Sequence, residues 1–252
     1  ALPISQSGMS GEIVALLKQG KRPKTLIGLT NDENSELGQQ ADILITLKSG
    51  DEATVSSKSY LNTLIACYRA LALMLGQSEK AVCDSVTSGL DTIRDLINQR
   101  QAVQPFSDAL FSAPHQRVAY IATGAYASSA LTGALITKEA SKVSAEGFIG
   151  GEFRHGPLET SGNGMLAVLM GKPGDETLEK LAAEMQANGT IVVTIGEAAY
   201  AGSALLPVPE GSELLQLICG FIYIEHFTVE LASHNGFVAG QFLYGQKITV
   251  AI

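Results

Sequence analysis

Residues 5–10, Ser5-Gln6-Ser7-Gly8-Met9-Ser10, place several small hydrogen-bond donors between the apolar run Ala1-Leu2-Pro3-Ile4 and an amphipathic segment beginning Gly11-Glu12-Ile13-Val14. A strand, a hydroxyl-rich turn and a helix form a backbone arrangement that binds phosphate. The first-turn amides of a helix have no partner inside it, and the macrodipole puts partial positive charge there. Ser5, Ser7 and Ser10 add hydroxyl donors, and Gly8 lets an anion come close to the backbone. The same residue types also cap helices, so the motif alone leaves capping by Ser7 or Ser10 and anion binding both open. A second hydroxyl cluster, Thr54-Val55-Ser56-Ser57-Lys58-Ser59, also precedes a helical pattern and reads first as an N-cap box. Lys58 there can face an anion or only solvent. Two residues have proton-transfer chemistry. Glu139, beside Lys138 late on a predicted helix, reads on its own as a solvated side chain. His155, in Glu152-Phe153-Arg154-His155-Gly156-Pro157, sits in a loop and can exchange protons near neutral pH.

The elements that must position these residues alternate in type. Short apolar runs at 25–30, 43–47, 117–122, 165–170 and 190–195 read as strands covered on both faces, and helical patterns cover about 9–19, 58–76, 82–101, 126–141, 175–188 and 213–233. The alternation predicts an α/β fold of parallel sheets flanked by helices. A weak internal repeat joins Ile4, a loop, a helix and TLIGLT at 25–30 to Leu169, a loop, a helix and TIVVTI at 190–195. ADILITL at 41–47 then pairs with SALLPVP at 203–209. Two similar halves follow: a first subdomain with linking helices over 1–105 and a second subdomain with a C-terminal tail over 106–252. The strand and helix that precede the repeat unit in the second half have no counterpart in the first. This predicts that an N-terminal segment is missing from the first subdomain.

Composition narrows the classes. The chain has 252 residues, 46% hydrophobic, and a net charge of -8, and its densest basic stretch is Lys21-Arg22-Pro23-Lys24, which argues against nucleic acid as a partner. Cys67, Cys83 and Cys219 lie in separate segments without metal-ligand spacing, which fits a reducing cytoplasm. The longest apolar stretch, Leu214–Ile224, is too short to span a bilayer. No motif calls for a metal or a nicotinamide cofactor, so no cofactor is expected.

ISQSGMSGEIVALL, TVSSKSYLNTLIACYRAL and GALITKEASKVSAEGFIGGEFRHGPL occur in this order, and together they resemble the sugar-isomerase (SIS) domain family. The likeness is greatest to the isomerase half of glucosamine-6-phosphate synthase and to the fructosamine-6-phosphate deglycases. It implies two SIS subdomains that bind a 6-phosphorylated sugar or sugar amine. Ser5, Gln6, Ser7 and Ser10 would hold the phosphate, and Ser56, with the backbone near Thr54 and with Lys58, the sugar. Glu139 would be the proton-transfer group over C1 and C2, and His155 the ring-opening group, reaching a neighbouring subunit in a homodimer or tetramer to which helix 213–233 contributes. The synthase has a lysine one helical turn before the glutamate, where this chain has Ile136. It has another near its C-terminus, where this chain has Gln246 followed by Lys247. Those two departures turn the expectation towards deglycation of a fructosamine 6-phosphate. Aldose–ketose isomerisation is the alternative, and a phosphosugar-sensing module without turnover is the alternative of another class.

Overall fold

Residues 1–244 are described by the computed structural model. They form two compact units: Ala1–Cys83 together with the stretch 242–244, and Asp84–Gln241.

In the first unit the order is α1 (Gly11–Lys18), β1 (Ile27–Thr30), α2 (Glu36–Gln40), β2 (Ile43–Thr46) and α3 (Lys58–Met74), and α4 (Glu79–Thr87) runs across the boundary. β1 and β2 pair in parallel, Leu29 opposite Ile45. The chain start lies along the other edge of β1. Leu29 N–H donates to Pro3 O at 3.1 Å, Ser5 N–H donates to Leu29 O at 3.0 Å, and Ile4 bridges Leu29 in the parallel sense. Leu29, Leu47 and Ala66 of α3 make the core, with Ile27, Ile45 and Cys67 against it.

The second unit begins with α5 (Leu90–Ile97) and α6 (Gln104–Phe111). It then alternates β3 (Arg117–Ala122), α7 (Ala127–Ser141), β4 (Ser144–Ile149), β5 (Met165–Met170), α8 (Glu176–Ala187), β6 (Ile191–Gly196), β7 (Ala204–Pro207) and α9 (Glu213–His234). All five strands are parallel, in the order β4-β3-β5-β6-β7. β3, β5 and β6 are buried almost end to end, because both faces are covered, and this is why they read as unbroken apolar runs. From β3 the chain crosses through α7 to β4 on one side, and from β5 it crosses through α8 to β6 on the other. Right-handed crossovers in opposite directions put α7 and α8 on opposite faces. The side chains agree. Tyr120 points to the α7–α9 face, where its hydroxyl lies 2.9 Å from Thr137 Oγ1, and Thr137 Oγ1 lies 3.3 Å from Thr228 Oγ1 of α9. Its neighbours Ala119 and Ile121 point to the other face, into a core with Phe153, Leu169, Leu178, Leu181 and Met185. Gly133 permits the α7–α9 approach, since a Cβ there would sit 2.9 Å from Ile224 Cγ2.

The repeat seen in the sequence is a structural one. Ile4 bridges Leu29 as Leu169 pairs with Thr194, and α1 starts at Gly11 as α8 starts at Glu176, a constant displacement of 165 residues (4 to 169, 29 to 194, 11 to 176).

Other expectations need correction. β4 was not anticipated: Ser144-Ala145-Glu146-Gly147-Phe148-Ile149 is a mostly exposed or half-buried edge strand that lacks a continuous apolar run. The short helices α2 and α6 were also missed. The single helix expected over 82–101 breaks at Ser88–Gly89, where a Cβ on Gly89 would lie 2.3 Å from Leu215 Cδ1 of α9. The unit boundary falls at 83/84, whereas the sequence division was placed at 105/106. Residues 84–111 are fastened to α9. His226 Nε2 donates to Leu96 O at 2.8 Å, Glu230 pairs with Arg100 at 2.5 Å, and His234 pairs with Asp108 at 2.8 Å while stacking on Phe111. α9 itself, 22 residues long, is apolar and long enough to cross a membrane, but 83% of its most apolar window is buried inside the protein, as in a core helix. Most of the face expected to meet a second subunit is therefore already covered.

Candidate functional site

The loop 5–10 leaves the carboxyl end of the segment beside β1, which is the end of a parallel sheet where ligands bind. Ser5 is buried, and its hydroxyl accepts from Gly8 N–H at 3.1 Å and lies 2.9 Å from Ser10 Oγ. Ser7 Oγ accepts from Met9 N–H at 3.2 Å. Gln6 O is tied to β1 by Asn31 N–H at 3.0 Å and Thr30 Oγ1 at 3.2 Å. Gly8 takes φ +65°, and a Cβ on it would come within 1.9 Å of Ser35 Oγ. Ser10 occupies the N-cap position of α1 but makes no side-chain cap, and no cap from another side chain is seen among the described residues. The choice between cap and anion nest is thereby narrowed: the hydroxyls bond within the loop, and the helix end keeps its positive field.

The repeat supplies an internal control. Asp175 stands at the position of Ser10 in the second unit, and its Oδ1 caps α8 by accepting from Thr177 N–H at 2.9 Å and Leu178 N–H at 3.1 Å. A carboxylate of the protein already takes the place that an anion would take on α1. Replacing Asp175 with Ala is expected to cost about 1 kcal/mol of stability, the usual worth of an N-cap. Denaturant melts measure the loss.

The second cluster has another chemistry. The N-terminus of α3 is capped by Glu52, which is buried. Its Oε1 accepts from the amides of Ser57 and Ser59, each at 3.0 Å, and its Oε2 accepts from Ser59 Oγ at 2.5 Å. Ser56 Oγ lies 2.8 Å from Ser59 Oγ, and Thr54 is half-buried. The cap-box expectation is corrected in its donor, since Ser57 makes no side-chain cap and the distant Glu52 does. A second anion would meet a carboxylate here, whereas a neutral hydroxyl would find partners. Lys58 is exposed and donates to Asp51 O. The two clusters of this unit are linked by Asn31, which donates through Nδ2 to Gly50 O at 3.0 Å and accepts from Ser49 N–H at 2.9 Å. Sequence reasoning missed Asn31 and Glu52. Asn31 had a signal, its place just after β1; Glu52 had none, because no regular spacing ties it to α3. An apolar cavity of about 340 Å³ in this unit, lined by Leu16, Leu17 and Leu26 among others, includes none of the candidate residues.

In the second unit Glu139 lies in the last turn of α7, half-buried. Burial raises its carboxyl pKa above the ordinary value, and the nearby Lys142 and Lys138 pull it part of the way back. Ile136, one turn earlier, is buried in the core. Gln246 and Lys247 lie outside the described residues. His155 is exposed and follows a 3-10 turn, Gly150–Arg154, in the connection from β4 to β5. That connection packs through Phe153 and Leu158 onto the α8 face, whereas Glu139 rides on the α7 face. Within one chain the sheet therefore separates Glu139 from His155.

Residues 110–199 match the family model described as the SIS domain. With an open parallel α/β sheet built on those residues, the class follows: the chain carries an SIS domain. The likeness extends beyond that segment. The glutamine--fructose-6-phosphate aminotransferase [isomerizing] of Pseudomonas aeruginosa is 31% identical over 251 residues, covering 92% of this chain and 41% of that protein. The chain thus spans less than half the length of this relative. Two solved structures share the fold. The C-terminal domain of glucosamine-fructose-6-phosphate aminotransferase from Francisella tularensis has a TM-score of 0.77 at 24% identity, covering 95% of this chain and 72% of that one. Glucosamine-6-phosphate deaminase from Thermotoga maritima has a TM-score of 0.78 at 19% identity, covering 98% and 74%.

Proposed function

We propose that the protein is an SIS enzyme acting at C1 and C2 of a 6-phosphorylated sugar or sugar amine. The observation that carries this reading is the N-terminus of α1, uncapped by side chains among the described residues, beside the hydroxyls of Ser5, Ser7 and Ser10, set against the carboxylate-capped α3 and α8. Of these three helix starts, α1 is the one that has hydroxyls beside it and no described carboxylate on its amides, which suits it to a dianion. In this reading Ser5, Gln6, Ser7 and Ser10 hold the phosphate. Thr54 and Ser56 contact sugar hydroxyls, with Lys58 at the edge of that group.

The chemistry then needs two proton-transfer groups. His155 takes the proton of the anomeric hydroxyl as the ring C–O bond breaks, and the ring oxygen gains a proton. Glu139 moves a proton between C1 and C2 of the open chain. A carboxyl with raised proton affinity suits a group that must both accept and return a proton. Because the sheet separates these residues within one chain, the working arrangement pairs Glu139 of one copy with His155 of a second copy, in a homodimer or a larger assembly.

The specific reaction we favour is deglycation of a fructosamine 6-phosphate. A proton moves from C1 to C2 and another from the amine nitrogen to the C2 oxygen, giving an imine of glucose 6-phosphate; water then adds at C1 and the amine leaves, taking up the proton that the water oxygen loses as the C1 carbonyl forms. The buried Ile136 supports it, because no lysine stands one turn before Glu139 to organise the chemistry in the synthase manner. The test is incubation with fructose 6-phosphate, glucosamine 6-phosphate and 6-phosphofructosyl amino acids, following glucose 6-phosphate and free amine. Release of both from the last group is expected. Interconversion of the simple phosphosugars alone would make the protein an isomerase, and binding without turnover of any would make it a sensor. Replacing Ser7 and Ser10 together with Ala should raise KM about tenfold or more, with a smaller effect on kcat, since hydrogen bonds to a charged group are worth about 1.5–3 kcal/mol each.

A further inference from the structure

The structure assigns a positioning role to Arg154: its ion pair with Glu184 of α8 sets the direction in which the neighbouring His155 is presented. The inference rests on the proton-transfer role proposed for His155. Arg154 Nη1 donates to Glu184 Oε1 at 2.9 Å and lies 2.8 Å from Oε2, so the pair is held by one hydrogen bond and close charge contact. The Arg154 side chain is about a third exposed, at 32%, and its Nη2 is a buried atom with no partner among the described residues, so Glu184 is the group that ties this guanidinium to α8.

Three consecutive side chains of this turn go to three destinations. Phe153 is fully buried and meets Phe148 edge to face at 5.0 Å, Arg154 reaches α8, and His155 is exposed. The backbone is held from the β4 side. Glu152 Oε2 accepts from Ile149 N–H at 3.0 Å, and Glu152 O accepts from His155 N–H at 3.0 Å. Just after His155 the chain turns at Gly156, whose φ of +119° suits glycine and whose carbonyl accepts from Glu159 N–H at 3.0 Å. An exposed imidazole between two pinned turns, Gly150–Arg154 and Pro157–Thr160, is aimed by the contacts that hold them. Among those contacts the Arg154–Glu184 pair is the one made by the side chain adjacent to His155. Packing of Phe153 alone would fix the turn but not its rotation about the chain axis.

The test uses uptake of deuterium from D2O into fructose 6-phosphate, followed by NMR, alongside the 5-deoxy analogue. That analogue has no C5 hydroxyl and cannot close a ring, so it bypasses the step assigned to His155. Arg154→Ala should slow uptake into fructose 6-phosphate at saturation by about tenfold to a hundredfold, the scale of a misplaced catalytic group. KM should stay within about twofold. Uptake into the 5-deoxy analogue should be unchanged, and Arg154→Lys should recover part of the loss. His155→Asn should show the same pattern, more strongly. Equal loss on both sugars would make Arg154 a fold-stabilising residue and overturn the inference. A normal Arg154→Ala beside an impaired His155→Asn would overturn it while leaving the role of His155 intact. A normal His155→Asn would remove the reading of His155 and the inference with it. Should Arg154→Ala melt too low to assay, Glu184→Gln, which keeps the shape and loses the charge, gives the same comparison.

Discussion

Glutamine in place of Glu139 is expected to abolish turnover while phosphosugar binding persists. The substitution keeps shape and hydrogen-bonding capacity but removes the ability to carry a proton between two carbons. Loss of a positioned acid–base group costs about 10²- to 10⁴-fold in rate, and the same fall in kcat is expected here, with affinity for fructose 6-phosphate within a few-fold by calorimetry. The stability effect should have the opposite sign. Burial raises the folded-state pKa of Glu139 above its ordinary value of 4.5. The folded protein therefore binds more protons than the unfolded chain between the two values, and the carboxyl loses stability as pH rises through that window. Glu139→Gln should be no less stable than the parent above it, and closer to the parent below it. Melts at pH 4 and pH 7 read the difference. Turnover within a few-fold of the parent would remove Glu139 from the mechanism. Lost turnover with a fall in stability at pH 7 would mean that the carboxylate holds the fold together and that its role as a proton carrier is unproven.

The second large effect is expected at Gly8. Its φ of +65° carries a penalty for any residue with a Cβ, and the new atom would sit 1.9 Å from Ser35 Oγ, 2.6 Å from Ser35 Cβ and 2.8 Å from Thr30 Oγ1. The left-handed conformation costs roughly 1–2 kcal/mol, and forcing a methyl into a filled space costs roughly 1–3 kcal/mol. Gly8→Ala should therefore lose about 2–5 kcal/mol in denaturant unfolding. Ser35 is not a bystander: its hydroxyl accepts from Gly38 N–H at 3.2 Å and so caps α2. Pushing it aside would loosen α2 and the loop together, and phosphosugar affinity should fall with stability. A Gly8→Ala protein within 0.5 kcal/mol of the parent (roughly the scatter of neutral surface substitutions) would show that the loop has room to move. The account of a tightly built nest would then be wrong.

Much of this architecture was legible from residue order. The runs at 117–122, 165–170 and 190–195 announce strands buried on both faces because apolarity is a local property, printed residue by residue. The displacement that carries Ile4 and Leu29 onto Leu169 and Thr194 was likewise visible, as were the donors at 5–10. What escaped depends on partners distant in the chain. Ser144–Ile149 is a strand because Arg117–Ala122 offers it an edge, not because its own pattern alternates cleanly. Ser10 and Asp175 are both plausible caps by type, yet one hydroxyl turns to Ser5 while the other residue's carboxylate closes its helix. Glu52 caps a helix that begins six residues later, through a turn whose course local preference does not dictate. Glu139 and His155 are 16 positions apart, from 139 to 155, and look like partners in sequence, but successive right-handed crossovers send α7 and the β4–β5 connection to opposite faces of one sheet. Sequence alone determined which groups could do chemistry, since donor, acceptor and proton affinity belong to the side chain. The tertiary structure decided which of them remain open to a ligand and which can meet, since both depend on burial and direction set by residues far along the chain.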